Sequence, residues 1–190
     1  MEVVIGISNR HVHLCEEDIK ILFGDIALEN TKDLVQPNEY ATSQTVTLKT
    51  AKGTLEKVRV LGSNPTRPYT QAEISRTDSF KLGIKPPVKP SGDLDGAALI
   101  TIVGPHGEVE KPCCIIANRH LHINPQDRAK YGLTDTEKVC VAINAEKRTL
   151  FKDVYIKETP NGILEVHLDT DDGNGALVNT GSLCTVYKEN

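Results

Sequence analysis

Apolar residues in this chain recur mainly at alternate positions, in short runs bounded by turn-forming residues. Residues 3–8 (VVIGIS), 44–50 (QTVTLKT), 55–62 (LEKVRVLG) and 97–104 (AALITIVG) are β-branched or alternating, which predicts strands. The same holds for 113–118 (CCIIAN), 137–144 (EKVCVAIN), 151–157 (FKDVYIK) and 163–169 (ILEVHLD). Helical signals are brief. One covers 16–24 (EEDIKILFG), with acids in its first turn and a closing Gly, and one covers 124–132 (NPQDRAKYG), where Asn precedes Pro and Gly ends the segment. Many short strands with little helix predict a mainly β protein built as small barrels or sandwiches. Pro and Gly crowd residues 83–96 (GIKPPVKPSGDLDG), a loop long enough to favour a functional reading.

The pieces repeat in order. "SNRHVHLCEEDIKILFG" matches "ANRHLHINPQDRAKYG": an apolar strand, Asn-Arg-His-x-His, then a short helix ending in Gly. Further on, "TVTLKTAKGTLEKVRV" parallels "KVCVAINAEKRTLFKDVYI", and "QAEISRTDS" parallels "LEVHLDTDD", each of the latter read as an alternating strand with an acid-rich exit. Two copies of one β-rich unit account for nearly the whole chain.

Strand side chains alternate faces, so His11 and His13 point the same way, close enough to share one ion, as do His120 and His122. Neutral imidazole suits zinc and other late first-row divalent metals, and three ligands with an open position make a catalytic site. The third ligand is expected from the last strand of each copy: Glu73 in the first, and in the second His167, which shares a face with Glu165 and Asp169. The spacing therefore proposes two sets, His11, His13 and Glu73, and His120, His122 and His167. Arg10 and Arg119 face away from the pairs, placed for a salt bridge or for substrate contact.

Composition removes other classes. The formal net charge of −4 over 190 residues argues against nucleic-acid or anionic-membrane binding. No apolar run approaches the ~18 residues that span a bilayer, and no leader precedes the first strand, so a cytoplasmic protein is expected. Five cysteines without a CxxC pair make neither a disulfide framework nor a zinc ribbon. Cys15, directly after the first His-x-His, is read as structural.

"SNRHVHL", "KDLVQPNEYA", "TQAEISRTDSFKLGIKPPVKPSGDL", "ANRHLHI" and "VHLDTDDGNG" lie in collinear order between residue 3 and about residue 176. Together they resemble the PduL-type phosphate acyltransferases, also called phosphate propanoyltransferases. The resemblance implies reversible acyl transfer between coenzyme A and inorganic phosphate, acetyl or propanoyl being open. It implies two β-barrels with short helices and a dinuclear metal site between them, usually zinc, with cobalt as the alternative. One barrel would comprise 1–9 with 118–190 and the other 10–117, as if the two copies exchanged first strands. The six residues above match the family's metal ligands, and Arg67, Ser91 and Gln36 match its substrate-site positions. At Arg67 the chain departs from the family, reading "LGSNPTRPYTQ" where "LGP" and basic residues are common. A homodimer is a further family expectation. Because the first strand starts at Val3, a bacterial cytoplasmic enzyme without a microcompartment-targeting helix is expected.

The reaction asks for a polarised thioester carbonyl, a clamped phosphate and a stabilised thiolate. Arg67 is the candidate phosphate clamp, Ser91 a donor to the tetrahedral intermediate, and Lys81, Lys85 and Lys89 a candidate cradle for the coenzyme A phosphates. The Glu73 set is assigned to the coenzyme A sulfur and the three-histidine set to the phosphate or carbonyl oxygen. Two other readings fit the His-x-His pairs alone: a metal-dependent hydrolase of thioesters or phosphate esters, and a metal-binding barrel that recognises an anionic ligand without turnover.

Overall fold

The computed structural model describes residues 1–189. In chain order, the first part contains β1 (Glu2–Ser8), β2 (His11–His13), α1 (Glu16–Phe23), β3 (Asn30–Asp33), β4 (Glu39–Lys49), β5 (Thr54–Ser63) and β6 (Gln71–Glu73). There follow α2 (Arg76–Leu82), β7 (Val88–Lys89), β8 (Ala98–Val103), β9 (Glu108–Ala117), β10 (His120–Ile123) and α3 (Pro125–Lys130). The last are β11 (Lys138–Ile143), β12 (Thr149–Glu158), β13 (Glu165–Asp169), α4 (Thr170–Ala176) and β14 (Leu183–Tyr187). They group into two compact units: Met1–Asn9 together with the segment that begins at Asn118, and Arg10–Ala117.

The first unit is a closed barrel in the order β1, β13, β10, β12, β11, β14. β1 runs parallel to β13, β10 parallel to β12, and the other neighbours are antiparallel. Alternation sends Ile5, Leu121, Ile123, Val141, Val154 and Val166 into its core, all essentially inaccessible to water.

The second unit closes in the same way. Its ring is β9, β6, β2, β5, β4, β8, with β9 parallel to β6, β2 parallel to β5, and the remaining pairs antiparallel. β3 extends the sheet beside β4, and β7 beside β9. Val12, Leu48, Val60, Ala72, Ile102 and Cys114 fill its interior. The ring order and strand directions of the two barrels correspond step by step, the architectural form of the sequence repeat. The strand that precedes each Asn-Arg-His-x-His closes the other copy's barrel: β1 pairs with β13 and β14, and β9 with β6 and β8.

Two segments read as the acid-rich exits of strands are helices. Ser75 caps α2, its hydroxyl accepting from Asp78 N while the Asp78 carboxylate accepts from Ser75 N, and Gly83 ends the helix in the left-handed conformation. Asp169 caps α4 by accepting from Asp172 N. The acids at these positions satisfy helix N-termini. The 83–96 loop is irregular apart from β7. No helix among the described residues is long and apolar enough to cross a membrane.

Candidate metal centres

In the barrel of residues 10–117, β2 buries Val12 in the core and carries His11 and His13 on its other face. β6 lies antiparallel beside it, with Glu73 opposite His11 and Gln71 opposite His13. His11 Nε2 is 3.6 Å from Glu73 Oε2, and the two imidazole rings stand nearly perpendicular with centroids 5.0 Å apart. One donor atom from each of His11, His13 and Glu73 falls within 4.8 Å of the other two. Gln71 Nε2 donates to Glu73 Oε1 at 2.6 Å, a contact with no signal in the sequence pattern.

The other barrel repeats the arrangement. On β10, Leu121 and Ile123 point into the core while His120 and His122 share the opposite face. β13 places His167 opposite His120 and Glu165 opposite His122. The rings of His120, His122 and His167 lie with centroids 4.4–5.1 Å apart, and the three donors again meet within 4.8 Å. His167 Nε2 is 2.6 Å from Glu165 Oε2.

Hydrogen bonding fits these residues to a metal. His120 Nδ1 donates to Asn118 O at 2.9 Å, so its lone pair resides on Nε2, which faces His122 Nε2 at 3.1 Å. Two imidazole nitrogens on one tetrahedral zinc stand about 3.3 Å apart. Burial, and then the neighbouring His167 and His120, push the His122 pKa far down, which keeps that ring neutral, the ligand form. Its Nδ1 is buried with no hydrogen-bond partner among the described residues.

Each centre is braced by the Arg of its motif. Arg10 Nη1 donates to Asp78 Oδ1 at the start of α2. Arg119 forms a bidentate pair with Asp172 at the start of α4, both bonds 2.9 Å, and its guanidinium stacks on Phe151. α2 and α4 begin just after Glu73 and His167, so each clasp ties the strand bearing the histidine pair to the element following the third ligand. Of the two roles open to these arginines, the structure shows the salt bridge.

A buried network braces the first barrel further. Asp18 on α1 accepts from Lys111 Nζ at 2.7 and 2.6 Å and from the Thr70 hydroxyl. Thr70 Oγ1 in turn accepts from Cys15 N at 3.1 Å. The chain just after His13 is thereby tied to the residue before Gln71. Cys15 occupies the N-cap of α1, and all five cysteines are free. Burial pushes the Cys113 thiol up to about 12 and the Cys184 thiol up to about 11, which makes both unreactive.

Two of the residues matched to the substrate site, Arg67 and Ser91, are linked to Glu73 through Gln71. Arg67 Nη1 donates to Ser91 Oγ at 3.3 Å and Nη2 to Glu39 Oε1 at 2.6 Å. Gln71 Nε2 also donates to Ser91 Oγ, at 2.9 Å, and Gly92 N donates to Gln71 Oε1 at 2.7 Å. With two donors on its oxygen, Ser91 retains its own proton for a further acceptor. Gln36 is buried in the turn leading to Glu39, the partner of Arg67. Lys81 and Lys85 are exposed, whereas Lys89 pairs with Asp93 at 3.0 Å and Asp95 at 3.7 Å within its own loop.

A family model described as phosphate propanoyltransferase matches residues 4–179. The phosphate propanoyltransferase of Thermotoga maritima is 48% identical over 189 residues, covering 98% of this chain and 89% of its own. That of Citrobacter freundii is 43% identical over 176 residues (92% and 83%), and that of Limosilactobacillus reuteri 42% over 182 (95% and 84%). The family-model match spans both His-x-His motifs as well as Glu73 and His167, and with these identities it shows that the chain belongs to the phosphate propanoyltransferase family.

Proposed function

We propose that this protein is a phosphate acyltransferase that moves a short acyl group, acetyl or propanoyl, reversibly between coenzyme A and inorganic phosphate. Family membership supports the reaction class. The observation that carries the residue-level reading is the chain of contacts from Arg67 through Ser91 and Gln71 to Glu73. His11, His13 and Glu73 would hold one divalent ion, and His120, His122 and His167 a second, zinc or cobalt. A bound ion supplies Lewis-acid polarisation of the thioester carbonyl and neutralises developing negative charge.

The chain's own residues account for the rest. Hydrogen phosphate attacks the thioester carbon: a C–O bond forms, the C–S bond breaks, and the phosphate proton ends on the departing coenzyme A sulfur. Arg67, held in place by Glu39, holds the dianionic nucleophile with a planar fork that lysine does not offer. Ser91 directs its remaining proton to the oxygen on which charge accumulates, in the manner of an oxyanion-hole donor. Arg67 connects to Glu73 through Ser91 and Gln71, and this reading would put the phosphate beside the Glu73 set, where the sequence reading put the coenzyme A sulfur. Exposed Lys81 and Lys85 remain the candidates for coenzyme A phosphates, while the Lys89 charge is offset by Asp93 and Asp95.

The test is thiol release from acetyl-CoA and propanoyl-CoA, with and without phosphate, on metal-loaded and chelator-stripped protein. Phosphate-dependent release that vanishes on stripping and returns with zinc or cobalt is expected. Release without phosphate would point to a hydrolase, and binding without release to a recognition module.

A further inference from the structure

We infer that the residue two positions before the third ligand of each barrel, Gln71 in one and Glu165 in the other, is a positioning residue whose hydrogen-bonding character is matched to that ligand. The inference rests on the metal reading above and adds residues to it.

The two positions are equivalent by register. Gln71 stands opposite His13, the second histidine of its motif, and Glu165 opposite His122, the second histidine of the other. Both are buried, and both contact the third ligand at 2.6 Å. Their chemistry differs as the ligands differ. Glu73 is a carboxylate and needs a donor, which the Gln71 amide provides; His167 has a ring N–H to place, and the Glu165 carboxylate accepts it.

Neither partner would serve in the other's place. A carboxylate at position 71 would set two acceptors against each other at hydrogen-bond distance and leave Glu73 without its donor. An amide at 165 accepts more weakly and removes the negative charge that makes an imidazole a stronger ligand. The bond also selects a nitrogen: with Nε2 donating to Glu165, the lone pair of His167 sits on Nδ1, whereas in His120 it sits on Nε2.

The surroundings hold each partner in one pose. The Gln71 amide is fixed at both ends, by Ser91 Oγ on its nitrogen and Gly92 N on its oxygen. Beside Glu165, β1 presents Gly6, paired in register with His167. A Cβ there would stand 2.9 Å from Glu165 Oε1 and 3.0 Å from His167 Cδ2, so the strand leaves room for this carboxylate–imidazole pair.

The experiment is competition for zinc between a chromophoric chelator and the full-length protein, with the cobalt(II) absorption spectrum reporting the ligand set. Gln71→Glu and Glu165→Gln keep side-chain size and should each weaken one of two bound ions by about 10–100-fold, the range for loss of an outer partner, with the second ion unchanged. His167→Glu alone should lose one ion by opposing two carboxylates. His167→Glu with Glu165→Gln recreates the amide–carboxylate pair of the other barrel and should bind that ion at least about tenfold more tightly than His167→Glu, with a changed cobalt spectrum. Wild-type affinities in both size-preserving variants, or a double variant no tighter than the single, would overturn the matching alone. A wild-type protein that takes up no metal would overturn the metal reading and the matching together.

Discussion

Asparagine at Asp18 changes one oxygen to NH2 in a side chain only 1% exposed, and so removes the anion from between Lys111 and Thr70. Breaking one side of a fully buried pair costs about 3–5 kcal/mol. The Lys111 side chain keeps 35% of its surface in water, which screens the loss, so about 2–3 kcal/mol is expected. In a protein of this size that corresponds to a melting temperature lower by roughly 4–12 °C. The effect carries a pH signature. Burial alone would raise the Asp18 carboxyl, but the Lys111 ammonium and the Thr70 hydroxyl outweigh it and hold the carboxyl below its ordinary value. A group with a lowered folded pKa contributes stability that is complete above its unfolded pKa, about 3.9, and is lost as pH falls through the folded one. The gap between wild type and Asp18→Asn should therefore be constant from pH 7 to pH 5 and close below about pH 4. Urea unfolding of chelator-treated protein at pH 7, 5 and 3 measures it without interference from metal release. A gap under about 1 kcal/mol at pH 7, or one that persists undiminished at pH 3, would refute the reasoning.

Arg67→Lys keeps the charge but not the fork, and should lower turnover about 10²–10³-fold with metal content intact; unchanged kinetics would remove Arg67 from the mechanism. Gly6→Ala should weaken one bound ion through the Glu165–His167 pair while leaving urea unfolding of the metal-free protein within about 1 kcal/mol of wild type. Arg119→Ala deletes a partly exposed bidentate pair and should cost about 1 kcal/mol of stability, read as a melting temperature lower by roughly 2–4 °C.

The two candidate ligand trios were legible in the sequence because strand alternation is a local rule: in His-x-His the intervening residue points to the core, as Val12 and Leu121 do, and the histidines share the other face. The third candidate of each trio followed from its equivalent place in the repeat. Gln71 was not legible. A buried amide acquires a role only from its partners, and the register that sets it opposite His13 comes from pairing of strands far apart in the chain. Asp18 and Lys111, 93 residues apart, meet only once the barrel closes. α2 and α4 were missed for another reason. Each has a capping residue and an acid three positions on, but each is two turns long, and Gly173 and Gly175 erase any helical pattern in the second. The shortest strands, β2 and β6, are too brief to show a period and owe their place to the neighbours they pair with.

The most direct test of the account is the metal content per chain of the wild type, of His11→Ala and of His120→Ala, measured by elemental analysis after exhaustive dialysis. Two zinc or cobalt ions in the wild type and one in each variant would bear out a separate ligand trio in each barrel. A wild type that retains none, or a single substitution that leaves both ions in place, would contradict it.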